Sequence, residues 1–230
     1  MNKKITIAID GFSSTGKSTL AKQLAKALGY VYVDTGAMYR AITLYAMEHG
    51  FIVDEHIDTE GLIKRLPEIS LQFLFNPTLG YAEIYLNEHN VEHKIRSIEV
   101  SNQVSRIAEI SQVRAMLVNQ QQHMGENKGV VMDGRDIGTV VFPNAELKLF
   151  MTASPETRAE RRFKELQEKG HKATYDEVLK NVQERDYIDT HRKDSPLKKA
   201  DDAVEIDNSG LTIGEQYQKV LDMARAALQL

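Results

Sequence analysis

The chain contains no cysteine and no tryptophan among its 230 residues. Without cysteine it can form no disulfide framework, no cysteine-ligated metal site and no thiol nucleophile. It also lacks a basic excess, because 29 lysines and arginines stand against 33 aspartates and glutamates, a net charge of -4. Proteins that bind nucleic acids or membrane surfaces generally carry such an excess. The balance therefore argues against both kinds of partner.

Long apolar runs are missing as well. The segment MNKKITIAID starts like a signal peptide with two lysines, but its apolar run is short and ends at Asp10. No stretch approaches the length of a membrane span. We therefore expect a cytoplasmic enzyme. Since no long apolar stripe marks an interface, we expect it to be a monomer.

One short glycine-bearing segment carries a clear chemical signal. GFSSTGKST has the spacing G-x-x-x-x-G-K-[ST], formed by Gly11, Gly16, Lys17 and Ser18. Glycines let the backbone turn tightly around a phosphate, and the following helix adds its positive N-terminal end. Lys17 can reach the outer phosphates, and the Ser18 hydroxyl can ligate Mg²⁺. A chance glycine turn is the alternative, but an apolar strand before and an amphipathic helix after favour an NTP-binding loop.

The pattern of apolar segments predicts an α/β fold, a mainly parallel sheet flanked by helices. The predicted core strands are residues 5–10, 30–34, 129–134, 147–153 and 203–207. Two regions depart from this alternation. Residues near 60–95 predict a small antiparallel meander whose strands are ISLQFLF, YAEIYLN and VEHKI, and residues near 154–195 predict a charged helical hairpin.

Clustered arginines indicate what receives the phosphoryl group. Arg185, Asp189 and Arg192 are spaced four and three apart, so they share one helix face. Further arginines lie one helix earlier or just after core strands: Arg158, Arg161, Arg162, Arg40 and Arg135. Guanidinium groups bind phosphate bidentately, so this set suits an acceptor that is itself a phosphate and needs no general base. A solvated helix face with surface salt bridges is the alternative.

Other classes of nucleotide-binding protein are less consistent with the sequence. The N-K-x-D motif of GTP-binding switches and the L-S-G-G-Q motif of ABC-type ATPases are absent. Kinases for other nucleoside monophosphates, hydroxyl kinases of the shikimate or gluconate type, and an ATP-dependent binding switch stay open. His89 and His93 lie four apart, but a solvated hairpin is a better interpretation of them than a metal pair.

Longer segments bring in a family resemblance. In order along the chain these are DTGAMYRA, IRSIEVSNQVSRIA, VRAML, VMDGRDIGTVVFP, LQEKG and ERDYIDTHRKDSPL. Together they resemble the bacterial cytidylate kinase family, essentially end to end. The resemblance implies a P-loop NTPase core with an inserted monophosphate-binding domain and a helical lid. One kinase unit would span 1–230, with core segments 1–34, 129–153 and 200–230, an insertion at 35–128 and a lid at 154–195.

The resemblance also implies a reaction, in which ATP with Mg²⁺ phosphorylates CMP or dCMP, and it implies residue roles. The ATP-binding residues would be Gly11, Phe12, Ser13, Ser14, Thr15, Gly16, Lys17, Ser18, Thr19, Arg158 and Arg162, with Ser18 on the metal. The acceptor would be bound by Thr35, Arg40, Ser105, Arg114, Asp133, Arg135, Asp136, Arg185, Asp189 and Arg192. Within that set, cytosine would be read by Ser105, Arg114 and Asp136. The catalytic residues would be Lys17, Asp133, Arg135 and Arg192.

The chain departs from the family pattern at two places. The family often has proline and glycine where this loop has Phe12 and Ser14, and it often has serine where this chain has Thr35. The loop motif leaves the first two positions free, so we expect activity to survive, with Ser14 affecting backbone freedom and ATP affinity. Thr35 keeps the hydroxyl group, so little changes there.

Overall fold

The computed structural model describes residues 3–54, 56–168, 170 and 172–229. Lys169 of the LQEKG segment and the first two residues of the chain lie outside that range. The fold divides into two compact units. The first unit comprises Met1–Tyr32 and Met124–Leu230, and the second comprises Val33–His123.

The elements follow one another in a regular order along the chain. The strands are β1 (Thr6–Gly11), β2 (Val31–Asp34), β3 (Ile52–Val53), β4 (His56–Ile57), β5 (Leu71–Asn76), β6 (Tyr81–Leu86), β7 (His89–Asn90), β8 (Val130–Gly134), β9 (Leu147–Thr152) and β10 (Val204–Asp207). The α-helices are α1 (Lys17–Leu28), α2 (Thr35–Glu48), α3 (Thr59–Arg65), α4 (Ile98–Ile107), α5 (Ser111–Gly125), α6 (Pro155–Glu168), α7 (Tyr175–His191) and α8 (Ile213–Gln229). Short 3₁₀ turns cover Leu66–Glu68 and Lys94–Arg96, and a π-helical turn covers Ile137–Val141.

The first unit is organised by a sheet with the strand order β10-β9-β1-β8-β2 among the described residues. The pairs β1–β8, β1–β9 and β9–β10 are parallel. Strand β1 lies at the centre and is buried along its whole length, which explains its unbroken apolar run. Leu20 and Leu24 of α1 and Val220 of α8 pack into the same core. The predicted α/β class and parallel sheet are confirmed.

Parallel register brings three strand ends to one edge of this sheet. Asp10 of β1 lies opposite Gly134 of β8 and Phe150 of β9. The loop that follows β1 and the residues that follow β8 are therefore neighbours. Ligands of open parallel sheets bind at this carboxyl edge.

The predicted charged hairpin is present as α6 and α7, which pack against each other. Ser154 caps α6 by accepting a hydrogen bond from the Thr157 N–H at 3.2 Å. Thr174 and Glu177 form a capping box at the start of α7. The predicted capping box of Thr212 and Glu215 also forms, at the start of α8.

The second unit has its own core and small antiparallel sheets. Strands β5, β6 and β7 pair in that order, and β3 pairs with β4. Met38, Ile42 and Tyr45 of α2 contribute to an apolar cluster that also includes Ile84 of β6. The unit thus contains the predicted meander, but with different limits.

Two details of that meander were predicted wrongly. The segment VEHKI is not the third strand, which is His89–Asn90 instead. Val91 and Ile95 are both buried and are joined by a hydrogen bond from the Ile95 N–H to the Val91 carbonyl at 3.0 Å, so their spacing is helical. The three-stranded sheet also starts later than residue 60, at Leu71, because residues 59–65 form α3 behind the capping side chain of Asp58. Within the described residues, no helix is both long enough and apolar enough to span a bilayer.

Candidate active site

The GFSSTGKST loop leaves β1 and enters α1 through two glycines with positive φ angles. Gly11 has φ +142°, and a Cβ atom there would lie 2.0 Å from the Met151 carbonyl oxygen of β9. Gly16, which caps α1, has φ +82°. Ser14 adopts φ +59°, a left-handed conformation that is easier for glycine. The departure from the family pattern at Ser14 therefore falls on a strained position of the loop.

Lys17 is folded into the loop and is 5% exposed. Its Nζ donates to the Phe12 carbonyl and lies 3.4 Å from the Thr15 Oγ1. Burial, together with the positive charge of Arg135, lowers the pKa of Lys17 to about 7, against the opposing effects of Asp133, Asp10 and Asp189. The lysine therefore lies in a site where an incoming phosphate would strongly favour its charged form.

Asp133, at the carboxyl end of β8, is held from two sides. The Ser18 hydroxyl donates to its Oδ2 at 3.0 Å, and the Tyr32 hydroxyl donates to its Oδ1 at 2.8 Å. Asp133 is 4% exposed. The hydroxyl and carboxylate oxygens of Ser18 and Asp133 are hard ligands of the type that Mg²⁺ prefers. The described residues contain no group of three or more histidine, cysteine, aspartate or glutamate side chains that could hold a metal ion.

Four of the predicted acceptor residues form one ionic network, in which Arg135 is half-buried and the other three are buried. Arg135 donates through Nε to the Asp189 Oδ2 at 2.7 Å. Arg192 lies 3.8 Å from both Asp136 and Asp189 and donates to the Ser195 carbonyl. Burial alone would raise the pKa of Asp189, but the charges of Arg135, Arg185 and Arg192 hold it below its usual value. One buried guanidinium group, that of Arg192, and one half-buried guanidinium group, that of Arg135, are thus concentrated at the carboxyl edge of the sheet.

Arg158 joins the hairpin to the phosphate loop. Its Nη1 and Nη2 donate to the two carboxylate oxygens of Asp186 in α7 at 2.9 and 2.5 Å, and its Nε donates to the Ala153 carbonyl at 2.9 Å. Its guanidinium carbon lies 5.0 Å from the ring centre of Phe12. Phe12 also packs edge-on against Phe150, with ring centres 6.0 Å apart. Phe12, the other loop residue that departs from the family pattern, is therefore part of the packing between the loop and the hairpin.

The other basic residues of α6 have separate partners. Arg162 pairs with Glu165 at 2.9 Å on the same helix. Arg161 donates to the side chain and the carbonyl of Asn208 at 3.0 and 2.9 Å. Asn208 in turn donates to the Thr15 carbonyl at 2.6 Å, so it ties the loop to the region after β10.

Asp10 lies directly before the loop. Its two oxygens accept from the Ile137 N–H at 2.8 Å and the Gly138 N–H at 2.7 Å, so it caps the π-helical turn that follows Asp136. It is 4% exposed. Burial raises the pKa of Asp10 to about 7, and the charge of Asp136 adds to the rise, whereas the two N–H donors and Lys17 oppose it.

The second unit contains four predicted substrate-binding residues. Thr35, Ser105 and Arg114 are buried, and Arg40 is half-buried. A Cβ atom at Gly36 would lie 3.1 Å from the Arg40 Nη1, so the glycine leaves room for that guanidinium. Arg114 donates to the Ala108 carbonyl at 3.1 Å and lies 5.5 Å from the ring centre of Tyr39.

Asp34 fixes the start of α2 in this unit. It accepts from the Ala37 N–H at 3.0 Å and pairs with Arg96 at 2.9 Å. Burial acts to raise its pKa, but the charges of Arg96 and Arg40 outweigh burial and hold the pKa of Asp34 below its usual value. Glu92 pairs with Arg96 at 2.7 Å from the other side. His89 and His93 are both exposed, and His89 contacts the Asn87 carbonyl at 2.7 Å.

Comparison with known proteins identifies the family. The model of the cytidylate kinase family matches residues 7–226 of this chain. The chain belongs to the cytidylate kinase family.

Individual relatives support this assignment to the cytidylate kinases. A cytidylate kinase from Flavobacterium psychrophilum is 68% identical over 221 residues, which cover 96% of this chain and 98% of the relative. Another from Flavobacterium johnsoniae is 67% identical, with 99% of each chain covered. The crystal structure of an uncharacterized protein from Eubacterium ventriosum superposes with a TM-score of 0.51 at 12% identity, covering 97% of this chain and 99% of that chain. That likeness shows a shared fold.

In this cytidylate kinase the first unit brings together most of the predicted site. The residues that it gathers around the end of the sheet are Lys17, Ser18, Asp133, Arg135, Asp136, Asp189 and Arg192. Thr35, Arg40, Ser105 and Arg114 belong to the second unit, which is described by itself. Tyr32, Asp10 and Asp186 were not predicted. The sequence contained a signal for Asp10, because a charged residue ends an apolar strand there, directly before the loop. It contained none for Asp186, because its partner Arg158 lies 28 residues away.

Proposed function

We propose that this chain transfers the γ-phosphoryl group of ATP to CMP or dCMP, giving ADP and CDP or dCDP. The observation that carries the proposal is the cytidylate kinase match across residues 7–226. The geometry of the first unit agrees with it, because a phosphate loop and the two arginines Arg135 and Arg192 share one edge of the sheet. The whole chain would then act as one kinase unit, with the core, insertion and lid limits predicted from the sequence.

The donor phosphates would be held by loop N–H groups and Lys17. Phosphate binding would keep Lys17 protonated despite its burial, because an adjacent negative charge favours the ammonium form. Ser18 would hold Mg²⁺, with Asp133 beside it accepting from the Ser18 hydroxyl. The ion supplies charge neutralisation of the β- and γ-phosphates when bound. Arg158 and Arg162 would contribute from the hairpin above the loop.

The acceptor phosphate would be bound by Arg135, Arg192 and Arg40. Their positive charge offsets the repulsion that arises when two phosphates approach. Arg185 and Asp189 would lie at the ribose. Because the acceptor phosphate is largely ionised at neutral pH, catalysis needs no general base and consists of positioning and electrostatic stabilisation.

Cytosine would be recognised by Ser105, Arg114 and Asp136. Carboxylate and hydroxyl oxygens accept from its amino group, and guanidinium N–H groups donate to its ring acceptors. UMP offers a carbonyl where CMP offers the amine, so UMP should be a poor acceptor. Thr35 would complete the acceptor site through its hydroxyl group.

The helical hairpin of α6 and α7 would close over bound substrates. Closure excludes water, which would otherwise accept the phosphoryl group. We further propose that the enzyme is a cytoplasmic monomer with no nucleic-acid or membrane partner, consistent with its net charge of -4.

An ADP-release assay with ATP and Mg²⁺ tests the proposal, with CMP, dCMP, UMP, AMP and dTMP offered separately. We expect fast turnover with CMP or dCMP and little with UMP. Fast turnover with UMP or AMP would refute the base-recognition residues. ATP hydrolysis that is equally fast without any acceptor would refute the transfer reaction.

A matched pair of variants connects the assay to the arginine network. Arg192→Lys keeps the positive charge near Asp136 and Asp189 but loses the planar fork, so kcat should fall at least tenfold. Arg225→Lys changes a surface arginine that is 61% exposed and should leave kcat unchanged. Equal activity of the two variants would remove Arg192 from the proposed mechanism.

A further inference from the structure

Tyr32 of β2 makes a contact that no part of the phosphate-loop motif accounts for. Its hydroxyl donates to the Asp133 Oδ1 at 2.8 Å, although the two residues lie 101 positions apart. The tyrosine ring packs against the core of the first unit, and the Lys22 ammonium lies 5.7 Å from the ring centre. The hydroxyl is therefore presented by a side chain whose ring is held in place.

The second oxygen of Asp133 accepts from Ser18. With Tyr32 on Oδ1 and Ser18 on Oδ2 at 3.0 Å, the plane of the carboxylate is fixed by two donors. A serine hydroxyl has one proton and two lone pairs. When the Ser18 hydroxyl donates its hydrogen bond to Asp133, the lone pairs of the Ser18 oxygen stay available for a cation. The orientation of the Ser18 hydroxyl thus depends on Asp133, and the orientation of Asp133 depends on Tyr32.

We propose that Tyr32 is a positioning residue for the metal-nucleotide site. It acts through Asp133. By holding this carboxylate in place, Tyr32 keeps the Ser18 hydroxyl donating to Asp133, so that the Ser18 oxygen faces the divalent cation. The inference rests on the proposed function, because it assumes that Ser18 ligates the cation that accompanies ATP. It goes beyond that function by assigning a residue outside the loop that tunes the cation site.

The substitution Tyr32→Phe tests this role because it removes only the hydroxyl. Tyr30→Phe is a matched control, because Tyr30 packs against the same apolar core as Tyr32. The Tyr30 hydroxyl accepts from the Ile5 N–H at 3.0 Å, so the control also removes one hydrogen bond of a half-buried tyrosine. The two variants therefore separate a general loss of packing from a specific effect on Asp133.

Two measurements should be made on each variant with the full chain. The first is the Mg²⁺ concentration that gives half-maximal turnover with CMP. The second is the affinity for ATP by calorimetry, with Mg²⁺ and with EDTA in its place. For Tyr32→Phe we expect the half-maximal Mg²⁺ concentration to rise roughly 3- to 10-fold. This is less than the full effect of losing a hydrogen bond to a charged group, because Tyr32 acts on the cation only through Asp133 and Ser18. The gain in ATP affinity that Mg²⁺ provides should shrink by a similar factor.

The result that overturns the inference is a Tyr32→Phe variant with the wild-type Mg²⁺ dependence, or a Tyr30→Phe variant with the same shift. A fall in ATP affinity that is equal with and without Mg²⁺ would also overturn it, because a merely structural role predicts that pattern. Failure of the proposed function is distinct, since the wild-type protein would then show no turnover with CMP. The ATP affinities measured with Mg²⁺ and with EDTA would still decide the role of Tyr32.

Discussion

Asp10 should make the folding stability depend on pH in an unusual direction. Burial raises its pKa from 3.8 to about 7 in the folded chain. Between pH 3.8 and about pH 7, Asp10 of the folded protein holds a proton that the same residue of the unfolded chain has released. Stability from this group is therefore complete below pH 3.8 and is lost as the pH rises to about 7.

The size of the effect follows from the shift. One bound proton corresponds to a slope of about 1.4 kcal/mol per pH unit, and the shift of about three units gives about 4 kcal/mol in total. Asp10→Asn removes the titration and keeps the shape of the side chain. It leaves one of the N–H groups of Ile137 and Gly138 without a good acceptor, which adds an offset that does not change with pH.

Urea unfolding of the wild type and of Asp10→Asn between pH 4 and pH 8 measures the difference. The free energy of unfolding of the wild type should fall relative to the variant by about 1.4 kcal/mol per pH unit near pH 5 to 6. Glu177→Gln is a control of opposite sign. Hydrogen bonds from Thr174 lower the pKa of Glu177, so its stabilising effect is lost as the pH falls. Parallel curves for the wild type and Asp10→Asn would refute the reasoning about Asp10.

Two further predictions concern Lys17 and Arg158. Because burial lowers the pKa of Lys17 to about 7, ATP binding at pH 8 should take up most of a proton. Calorimetry in two buffers of different ionisation enthalpy measures this uptake. A binding heat that is independent of the buffer would contradict the prediction. Arg158→Lys should destabilise the protein by about 1–3 kcal/mol, because one ammonium cannot replace both bonds to Asp186. The control Arg162→Lys affects a more exposed pair and should cost less than about 1 kcal/mol, so equal shifts in Tm for the two variants would count against the role of Arg158.

The sheet and the phosphate loop could be predicted because their signals are local. Core strands such as β1 and β8 are short apolar runs buried on both faces, and the loop has fixed spacing over a few residues. Capping boxes are equally local, and the one formed by Thr212 and Glu215 was predicted correctly. The helical spacing of Val91 and Ile95 was also local, but it was hidden in a segment whose neighbours alternate as strands do.

The contacts that orient the site could not be predicted in the same way. Tyr32 meets Asp133 because β2 and β8 belong to one sheet, and Asp10 meets Gly138 because the chain after β8 turns back over β1. Both facts depend on strand order, which no short window of sequence encodes. The pairing of Arg158 with Asp186 depends likewise on how α6 packs against α7. The candidate side chains could therefore be predicted from the sequence, whereas their partners could be identified only from the folded structure.

Gly11 affects how loss of activity at this loop should be interpreted. The glycine belongs to a nucleotide-binding signature, but the atom that excludes a side chain is the Met151 carbonyl oxygen of β9, which would lie 2.0 Å from a Cβ. The same steric exclusion of a side chain would apply in a protein that has this sheet but binds no nucleotide. In a mutational scan, inactive variants at position 11 would thus report failed assembly of the sheet. Variants farther along the loop, such as those at Lys17, would report on phosphate chemistry.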